Sequence, residues 1–322
     1  MANLPSFRHI HCSSRFDRSP ESLDFDIQVW MESCSLLTLT EVTNNSRAQQ
    51  MRATGWTYYN SSKGNDADNC GIAWRNDTWK RKTGTVLRLS SNTFDRVNGR
   101  HNLYIWAATV VLVHKDSGHK VLVSVSHPPA HVEGPGGFKT VGEGWAARKR
   151  AYLTALTNWH SHVADMERKQ HVDATLIIAD WNVNLKAQWF RDLLKQKWGK
   201  QYIIAWKDMP TSGGALAGGP NAPDDSPGKG HHDRIIDGTL YRGLKIANGP
   251  NLMPRVRSSD HRPYNETFRF KTAGERDDSD NNGQGTGDAG HKYPEWWGFG
   301  DYMDDEMYDL NRVTGDVGGE VL

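Results

Sequence analysis

The feature that most constrains this chain is a succession of short apolar segments of strand length, separated by longer segments with helical periodicity. The strand candidates are rich in β-branched and aliphatic residues and are bounded by turn residues. They are Ser35–Thr40, Cys70–Trp74, Leu103–Val113, Val121–Ser126, Thr175–Ala179, Arg234–Tyr241 and Tyr264–Phe270. The third and fourth candidates are joined by Lys115-Asp116-Ser117-Gly118, which favours a hairpin.

Apolar residues recurring every three or four positions predict the helices. The clearest helix covers about Glu143–Arg168, and a second covers about Leu185–Trp198. A third is expected after Glu41, with its N-cap among residues 44–46. The order strand, helix, strands, helix, strand, helix, strands predicts an α/β body with much antiparallel sheet.

The composition provides enough apolar residues for a core but no membrane span. Of the 322 residues, 37% are hydrophobic, and no apolar run approaches the roughly 18 residues that a membrane helix needs. No apolar signal segment begins the chain, so we expect a cytoplasmic protein with no membrane partner. Cys12, Cys34 and Cys70 are widely spaced and indicate neither a disulfide framework nor a zinc site.

Charge divides the chain into two parts. Residues 272–322 hold 13 acids and 3 bases, a net charge of −10, so the net charge of +1 for the whole chain leaves +11 for residues 1–271. We therefore predict one folded domain over residues 1–271 and a peripheral tail over residues 272–322. A basic body suits a polyanion such as nucleic acid, although a solvated basic surface is the ordinary alternative.

The tail itself changes character along its length. It begins with a polar, Gly-rich stretch at 275–290 and continues with mixed aromatics and acids at 293–310. The first stretch is typical of a flexible linker. The second indicates either disorder or a segment that binds the body or a protein partner.

Polar residues that suit phosphoester chemistry stand at the ends of the apolar strand candidates. Each alone has an ordinary interpretation as a turn residue, a helix cap or a satisfied histidine. Together they would be costly to bury unless they pair or bind something, and active sites gather at strand ends in α/β folds. These residues are Glu41, His127, Asp180, Asn182, Asp237, Asp260 and His261.

The order of these motifs resembles the endonuclease/exonuclease/phosphatase superfamily, the deoxyribonuclease-I-like class. The segments that carry the resemblance are LTLTEV (37–42), NCGIAWRNDTW (69–79), VSVSHPP (123–129), IIADWNVN (177–184), RIIDGTLY (234–241) and SSDHRPY (258–264). The resemblance implies a four-layer α/β/β/α sandwich of two mixed, largely antiparallel sheets, with the site at one edge of the paired sheets.

Two positions depart from the family pattern. Ala179 stands where Gly is usual before the D-x-N motif. The N-terminal strand of the family ends in Asn, whereas residues 7–14 contain none, so Ser13, Ser14 or His11 must stand in. This departure keeps a non-catalytic binding or assembly protein open as an alternative.

The resemblance also implies roles for the strand-end residues. Glu41 is the expected ligand of a divalent cation, Mg²⁺ or Mn²⁺, because hard cations prefer carboxylate oxygens, and Asp260 is expected close to it. His127 is expected to be catalytic. Asp180 would orient or deprotonate the attacking water, or protonate the leaving oxygen. Asn182 would donate to a non-bridging phosphate oxygen.

His261 is expected to act as an acid–base or as a phosphate-binding imidazolium, and it needs an orienting carboxylate. Asp237 is favoured as that partner because an apolar residue precedes it, as in the family. Asp233 shares the same strand parity and is the second candidate.

Substrate contacts are expected from residues around these motifs. Arg257 and Arg262 flank the Ser-Asp-His motif, where a backbone phosphate would lie, and the basic cluster 148–150 is a further candidate. Ser13 is a possible substrate contact. Trp181 either stacks on a base or ribose or packs in the core, and packing is favoured.

The function predicted is a metal-dependent nuclease, with DNA favoured over RNA because of the basic body. A phosphomonoesterase, or an inositol or lipid phosphatase, is the second enzyme hypothesis, because the same metal core serves all of these reactions.

Overall fold

The computed structural model describes residues 5–13, 20–42, 54–61, 70–96, 99–205, 235–253, 259, 261–272 and 275. The chain divides into two compact units, Met1–Asp280 and Asn281–Leu322, and every described residue lies in the first. The helix expected after Glu41 and most of the tail lie outside the described residues.

The described chain forms three helices and fourteen strands. The helices are α1 (Pro20–Ser33), α2 (Trp145–Gln170) and α3 (Gln188–Trp198). The strands are β1 (Ser6–Ser13), β2 (Leu36–Thr40), β3 (Trp56–Asn60), β4 (Cys70–Arg75), β5 (Trp79–Arg96), β6 (Gly99–His114), β7 (Lys120–Ser126), β8 (Glu133–Gly134), β9 (Gly137–Phe138), β10 (Ala174–Asp180), β11 (Ile203–Ile204), β12 (Asp237–Arg242), β13 (Leu244–Leu252) and β14 (Tyr264–Phe270). None of these helices is long and apolar enough to span a bilayer.

Two six-stranded mixed sheets carry the fold. The first has the order β13-β14-β1-β2-β4-β3, and the second has the order β11-β12-β10-β7-β6-β5. Each sheet contains one parallel pair, β1 with β2 and β7 with β10, and the other neighbours are antiparallel. β8 and β9 form a separate two-stranded pair.

The two sheets pack face to face, with helices outside them. Phe7 and Ile72 of the first sheet belong to the same buried cluster as Val110 and Ile178 of the second. On the outer side of the first sheet, α1 packs Trp30 into a second cluster with strand residues. On the outer side of the second sheet, Nε1 of Trp159 in α2 donates to Ser124 of β7 at 2.7 Å. These layers confirm the predicted α/β/β/α sandwich.

Most predicted elements are present. Both helices occur with small shifts at their ends, and β6 and β7 form the predicted hairpin across residues 115–118. The strand predicted at 234–241 instead begins at Asp237. The sequence did not predict α1, β3, β5 or β13.

Candidate active site

Strand ends meet at one edge of the sandwich. β7 and β10 end there side by side, and β12 runs antiparallel to β10 and begins there, with Asp237 opposite Asp180 in register. β2 of the other sheet ends at the same edge, because Oε1 of Glu41 lies 3.7 Å from Nε2 of His127. The fold therefore brings together residues that are far apart in sequence.

His261 and Asp237 form one histidine–carboxylate pair. Nδ1 of His261 lies 2.6 Å from Oδ2 of Asp237. The backbone N–H of His261 donates to the hydroxyl of Ser259 at 2.8 Å, and that hydroxyl donates to the carbonyl of Ser13. These bonds fasten the loop before β14 to the end of β1 and fix the ring. Asp237 is the partner that the sequence favoured, and Asp233 lies outside the described residues.

His127 lies at the centre of a second group. Its Nε2 is 3.5 Å from Oδ2 of Asp180 and 3.7 Å from Oε1 of Glu41. Nδ2 of Asn182 lies 3.0 Å from the same ring nitrogen and donates to the carbonyl of Pro128 at 2.8 Å. Asn182 thus directs its amide donors at protein groups and holds His127, which differs from the expected donation to a phosphate.

Asp180 is buried between the two groups. The hydroxyl of Ser13 donates to its Oδ2 at 3.3 Å, and the backbone N–H of Asn182 donates to its Oδ1 at 2.9 Å. Burial is the largest single influence and raises the pKa of this carboxyl, but His261, His127 and the Asn182 N–H together lower the pKa to about 2. Asp180 is therefore ionised at neutral pH and can accept a proton or bind a cation.

Backbone strain coincides with the site. Glu41 has φ 54° and Asn182 has φ 53°, both in the left-handed region. Asn tolerates this region, whereas for Glu it costs about 1–3 kcal/mol and persists only where the surroundings hold it. The turn after β2 thus holds the Glu41 carboxylate toward His127.

Trp181 lies between Asp180 and Asn182 but faces the core. It is fully buried, its Nε1 donates to the carbonyl of Gly238 at 3.1 Å, and its own carbonyl accepts from the hydroxyl of Tyr152 at 2.7 Å. The structure therefore agrees with packing, the interpretation that the sequence favoured, and not with stacking on a base or ribose. Trp181 anchors the turn that presents its two neighbours.

Two groups of ligand atoms are compact enough to hold a cation. Glu41, His127 and Asp180 form one, and Asp180, Asp237 and His261 form the other, with the ligand atoms of each within 4.8 Å of one another. Each group offers two carboxylates, but in the second group Oδ2 of Asp237 is already hydrogen-bonded to Nδ1 of His261 and both carboxylates are buried. In the first group the Glu41 carboxylate is partly exposed, so this group fits a hard divalent cation better.

The remaining predicted residues are spread around the site. Asp260 and Arg257 lie outside the described residues. Arg262 follows His261, and its Nε donates to the carbonyl of Met253 at 3.1 Å. In the basic cluster 148–150, Arg148 is buried and donates to a backbone carbonyl after β7 at 3.1 Å, so this arginine supports the loop instead of meeting a phosphate.

A buried polar group that the sequence patterns did not reveal lies behind the site. His9, Thr38 and Glu266 are fully buried and hydrogen-bonded to one another. The signal that could have found them is strand alternation, because Phe7, His9 and His11 share one face of β1. Histidines at the core parity of a strand indicate a buried polar network.

No protein-family model and no curated protein sequence matches the chain. Solved structures match its fold. An endonuclease/exonuclease/phosphatase family protein from Bacteroides thetaiotaomicron has a TM-score of 0.60 and 14% identity over 84% of this chain and 99% of its own. A mannosyl-6-phosphatase of the same species has a TM-score of 0.55 and 14% identity over 82% and 99%. TDP2 from D. rerio, complexed with a single strand DNA product, has a TM-score of 0.54 and 12% identity over 82% and 99%.

Proposed function

We propose that this chain, which has the fold of the endonuclease/exonuclease/phosphatase proteins, is a metal-dependent phosphodiesterase that hydrolyses nucleic acid, with DNA as the favoured substrate. The observation that carries the proposal is the convergence of two histidine–carboxylate groups at one edge of the sandwich. The converging residues are Glu41, His127, Asp180, Asn182, Asp237 and His261. The side chains of His127 and His261 each remain 10% exposed, so both rings can reach a ligand.

Glu41 and Asp180, with His127 beside them, are the residues that would hold Mg²⁺ or Mn²⁺, and Asp260 is a further candidate ligand. A bound divalent cation neutralises charge on a phosphodiester and lowers the pKa of a bound water. The donor set supports this assignment because it is rich in carboxylate oxygens and lies partly open to solvent.

The side chains of the chain itself supply positioning and proton transfer. Hydrolysis of a phosphodiester requires in-line attack and stabilisation of negative charge. The ionised Asp180 holds the attacking water or takes its proton. His261 is bonded to Asp237 through Nδ1, which leaves Nε2 as the nitrogen that exchanges a proton with substrate. Asn182 fixes the His127 ring.

Charge supports a polymeric substrate. Residues 1–271 carry a net charge of +11, which favours a phosphate polymer over a small ester. The D. rerio TDP2 structure contains a single strand DNA product on the same fold. The mannosyl-6-phosphatase with this fold supports the second candidate function, a phosphomonoesterase.

The test is Mg²⁺-dependent nicking of plasmid DNA by the full chain. Asp180→Asn and His261→Ala should each lower the rate by about 10²-fold to 10⁴-fold, as expected for loss of an acid–base group. Asp165→Asn and His171→Asn are matched controls, because both residues lie on or after α2 away from the site, and they should cleave like the wild type. Equal cleavage by all five proteins would reject the assignment.

Two other outcomes point to the alternatives. Turnover of sugar or inositol phosphates without DNA cleavage would establish the phosphomonoesterase. DNA binding with no hydrolysis of any phosphoester would establish the non-catalytic binding protein.

A further inference from the structure

Behind the site, the space between the two sheets changes from apolar to polar. The inner face of β1 runs from Phe7 through His9 to His11, and of these only Phe7 belongs to the apolar core. Neighbouring strands change in the same way toward the site edge. We call the inward-facing polar residues the polar layer, and all are fully buried: His9, His11, Thr38, Thr239, Tyr264 and Glu266.

Hydrogen bonds join the polar layer into a chain. Oε2 of Glu266 lies 3.1 Å from Nδ1 of His9 and accepts from Thr239 at 2.8 Å. Nε2 of His9 lies 2.8 Å from Oγ1 of Thr38, and Nδ1 of His11 lies 2.9 Å from the same oxygen. The chain therefore runs from Glu266 through His9 and Thr38 to His11.

This chain ends at the site. Nε2 of His11 lies 3.5 Å from Oδ1 of Asp237. Both atoms are buried, and neither has a hydrogen-bond partner within the described part of the chain. The other oxygen of Asp237 holds His261. Asp237 thus lies between two imidazole rings, one on each carboxylate oxygen.

The Thr38 hydroxyl decides which nitrogen of His11 carries a proton. It has one proton, so it donates to one histidine and accepts from the other. Donation to His9 would leave the proton of a neutral His11 on Nδ1, and a bare Nε2 would face the Asp237 carboxylate. Donation to His11 instead leaves the His11 proton on Nε2, where it points at Asp237, and a neutral His9 then has no proton on Nδ1, which faces Glu266. Either arrangement therefore needs one further proton to give every contact a donor and an acceptor. That proton lies on Nε2 of His11 in the first arrangement and between His9 and Glu266 in the second, so in both cases Nε2 of His11 carries a proton.

We propose that His11 is a positioning residue whose Nε2–H holds the Asp237 carboxylate in the orientation that His261 requires. The rest of the polar layer fixes the tautomer of His11. The catalytic consequence rests on the proposed function, whereas the hydrogen bond does not.

The placement of the polar layer supports this role. Burying polar groups costs free energy for each group that is left unpaired, and apolar side chains would fill the same space without that cost. These six residues lie at the site end of the inner space, and Leu36, Tyr241 and Phe268 continue the same strand faces as apolar core. If these side chains only filled the space between the sheets, we would not expect them to change from apolar to polar at that boundary.

The tautomer of His11 is a direct test that needs no activity, and variants serve only to assign its signals. Long-range proton–nitrogen correlation spectra of the ¹⁵N-histidine-labelled full chain report which ring nitrogen carries a proton. The His11 signals are those that change in His11→Gln, with His171→Asn as the assignment control. We expect the wild type to carry the proton on Nε2. A bare Nε2 would overturn the proposal.

Kinetics test the consequence with matched variants. His11→Leu should lower kcat by about 10-fold to 100-fold, the size typical of losing an orienting partner, with KM changed less than about twofold. His11→Gln, which offers an amide N–H near the Nε2 position, should recover part of kcat. Thr38→Ser keeps the hydroxyl and should act like the wild type, whereas Thr38→Val should lower kcat.

Failure of the two proposals can be told apart. If the wild type hydrolyses no phosphoester with Mg²⁺, the proposed function is rejected. The tautomer of His11 still shows whether its Nε2 donates a hydrogen bond to Asp237. If the wild type is active and folded His11→Leu keeps its full kcat, the positioning role is rejected while the proposed function stands.

Discussion

Glu41 combines a left-handed backbone with a partly exposed carboxylate that lies close to a histidine. A glutamate in this conformation is strained and persists only where its surroundings hold it, and such strain is common at binding sites. The same turn ends β2, and the rigid strand behind it sets the direction of the side chain. At the scale of single residues, Glu41 is therefore the most specific candidate for a cation ligand.

Glu41→Gln keeps the shape of the side chain and removes its charge. We expect the Mg²⁺ concentration for half-maximal hydrolysis to rise by about 10-fold to 100-fold, because a carboxylate ligand is lost. A Mg²⁺ titration of the hydrolysis rate measures this shift. Glu32→Gln, at an exposed glutamate of α1, is the matched control. An unchanged Mg²⁺ requirement in Glu41→Gln would remove this residue from the cation site.

His162 on α2 offers a pH test away from the site. Burial lowers the pKa of its ring to about 4, and its Nε2 has no hydrogen-bond partner among the described residues. The unfolded chain protonates this histidine near pH 6.5. Between these two values the unfolded state binds more protons, so acid destabilises the fold.

We expect this ring to lower the free energy of unfolding by on the order of 1 kcal/mol between about pH 7 and about pH 5.5. Urea titrations at both pH values measure this decrease in the free energy of unfolding. In His162→Gln the decrease should be smaller by the contribution of the His162 ring. His171→Asn, at the exposed end of α2, should leave the pH dependence as it is in the wild type. The same pH dependence in His162→Gln and the wild type would contradict the assignment.

The sequence predicted which residues reach the site because each adjoins one end of an apolar strand, and these strand ends meet at one edge. It could not predict their partners, because a partner depends on the direction of a side chain after the turn. Asn182 illustrates this, since its positive φ turns the amide toward His127. Trp181 faces the core for the same reason, in agreement with the favoured interpretation of packing.

At the scale of elements, the structure explains why the sequence did not predict α1 and β5. In α1 the apolar Phe25 and Val29 remain exposed while Ile27 and Trp30 are buried, so the helical stripe is blurred. β5 lies at the edge of its sheet and carries the basic run 80–82, which gives it no continuous apolar segment. Strands whose inner face alone is buried are harder to recognise than the central β7 or β10.

β5 and β6 extend beyond the rest of their sheet. β6 pairs with β7 only as far as Ala107, whereas it pairs with β5 as far as Gly99. Ala107 of β6 pairs with Ser126 at the end of β7, and the next residue is His127. The parts of β5 and β6 that extend beyond β7 therefore project from the sheet at the site edge. We call residues 88–96 of β5 and 99–106 of β6 the ribbon.

One face of the ribbon points the same way as the inner face of the sheet. Val110 of β6 faces the other sheet, and strand alternation gives Trp106 and Tyr104 the same direction. The exposed guanidinium of Arg88 lies 5.9 Å from the Trp106 ring centre. Aromatic rings beside a guanidinium suit the bases and phosphates of a single strand.

Arg88→Gln should therefore weaken binding of single-stranded DNA and leave the turnover of a small phosphodiester unchanged. We expect the slope of log affinity against log salt to decrease by about 0.7, the value for one lost phosphate contact on a single strand. Fluorescence anisotropy at several salt concentrations measures the slope. Arg168→Gln, at an exposed arginine of α2, is the control, and an equal loss in both variants would contradict a specific contact.

At the scale of the whole molecule, Glu275 makes contacts with two strands of the first compact unit. Oε1 of Glu275 lies 3.1 Å from Nζ of Lys245 and 2.5 Å from a guanidinium nitrogen of Arg269. These contacts favour a truncation after Asp280, the end of the first compact unit. The predicted domain boundary itself remains a prediction.

Residues 281–322 contain nine acids and two bases, a net charge of −7, so the net charge of +1 for the whole chain leaves +8 for residues 1–280. Removing the acidic segment should therefore strengthen the electrostatic attraction between the chain and a phosphate polymer. We expect the chain ending at Asp280 to bind DNA more tightly than the full chain at low salt. The difference should shrink as salt rises, because screening shortens the range of the charges to about 3 Å at 1 M.

Anisotropy of a labelled oligonucleotide across a salt series measures both affinities. A full-length variant in which the nine acids of residues 281–322 become Asn or Gln is the matched control, because it keeps the length and removes the charge. It should bind like the chain that ends at Asp280. If this variant binds like the wild type while the truncated chain binds more tightly, the effect comes from the bulk of the segment and not from its charge. Equal affinity of all three proteins at low salt would show that the acidic segment does not oppose nucleic-acid binding.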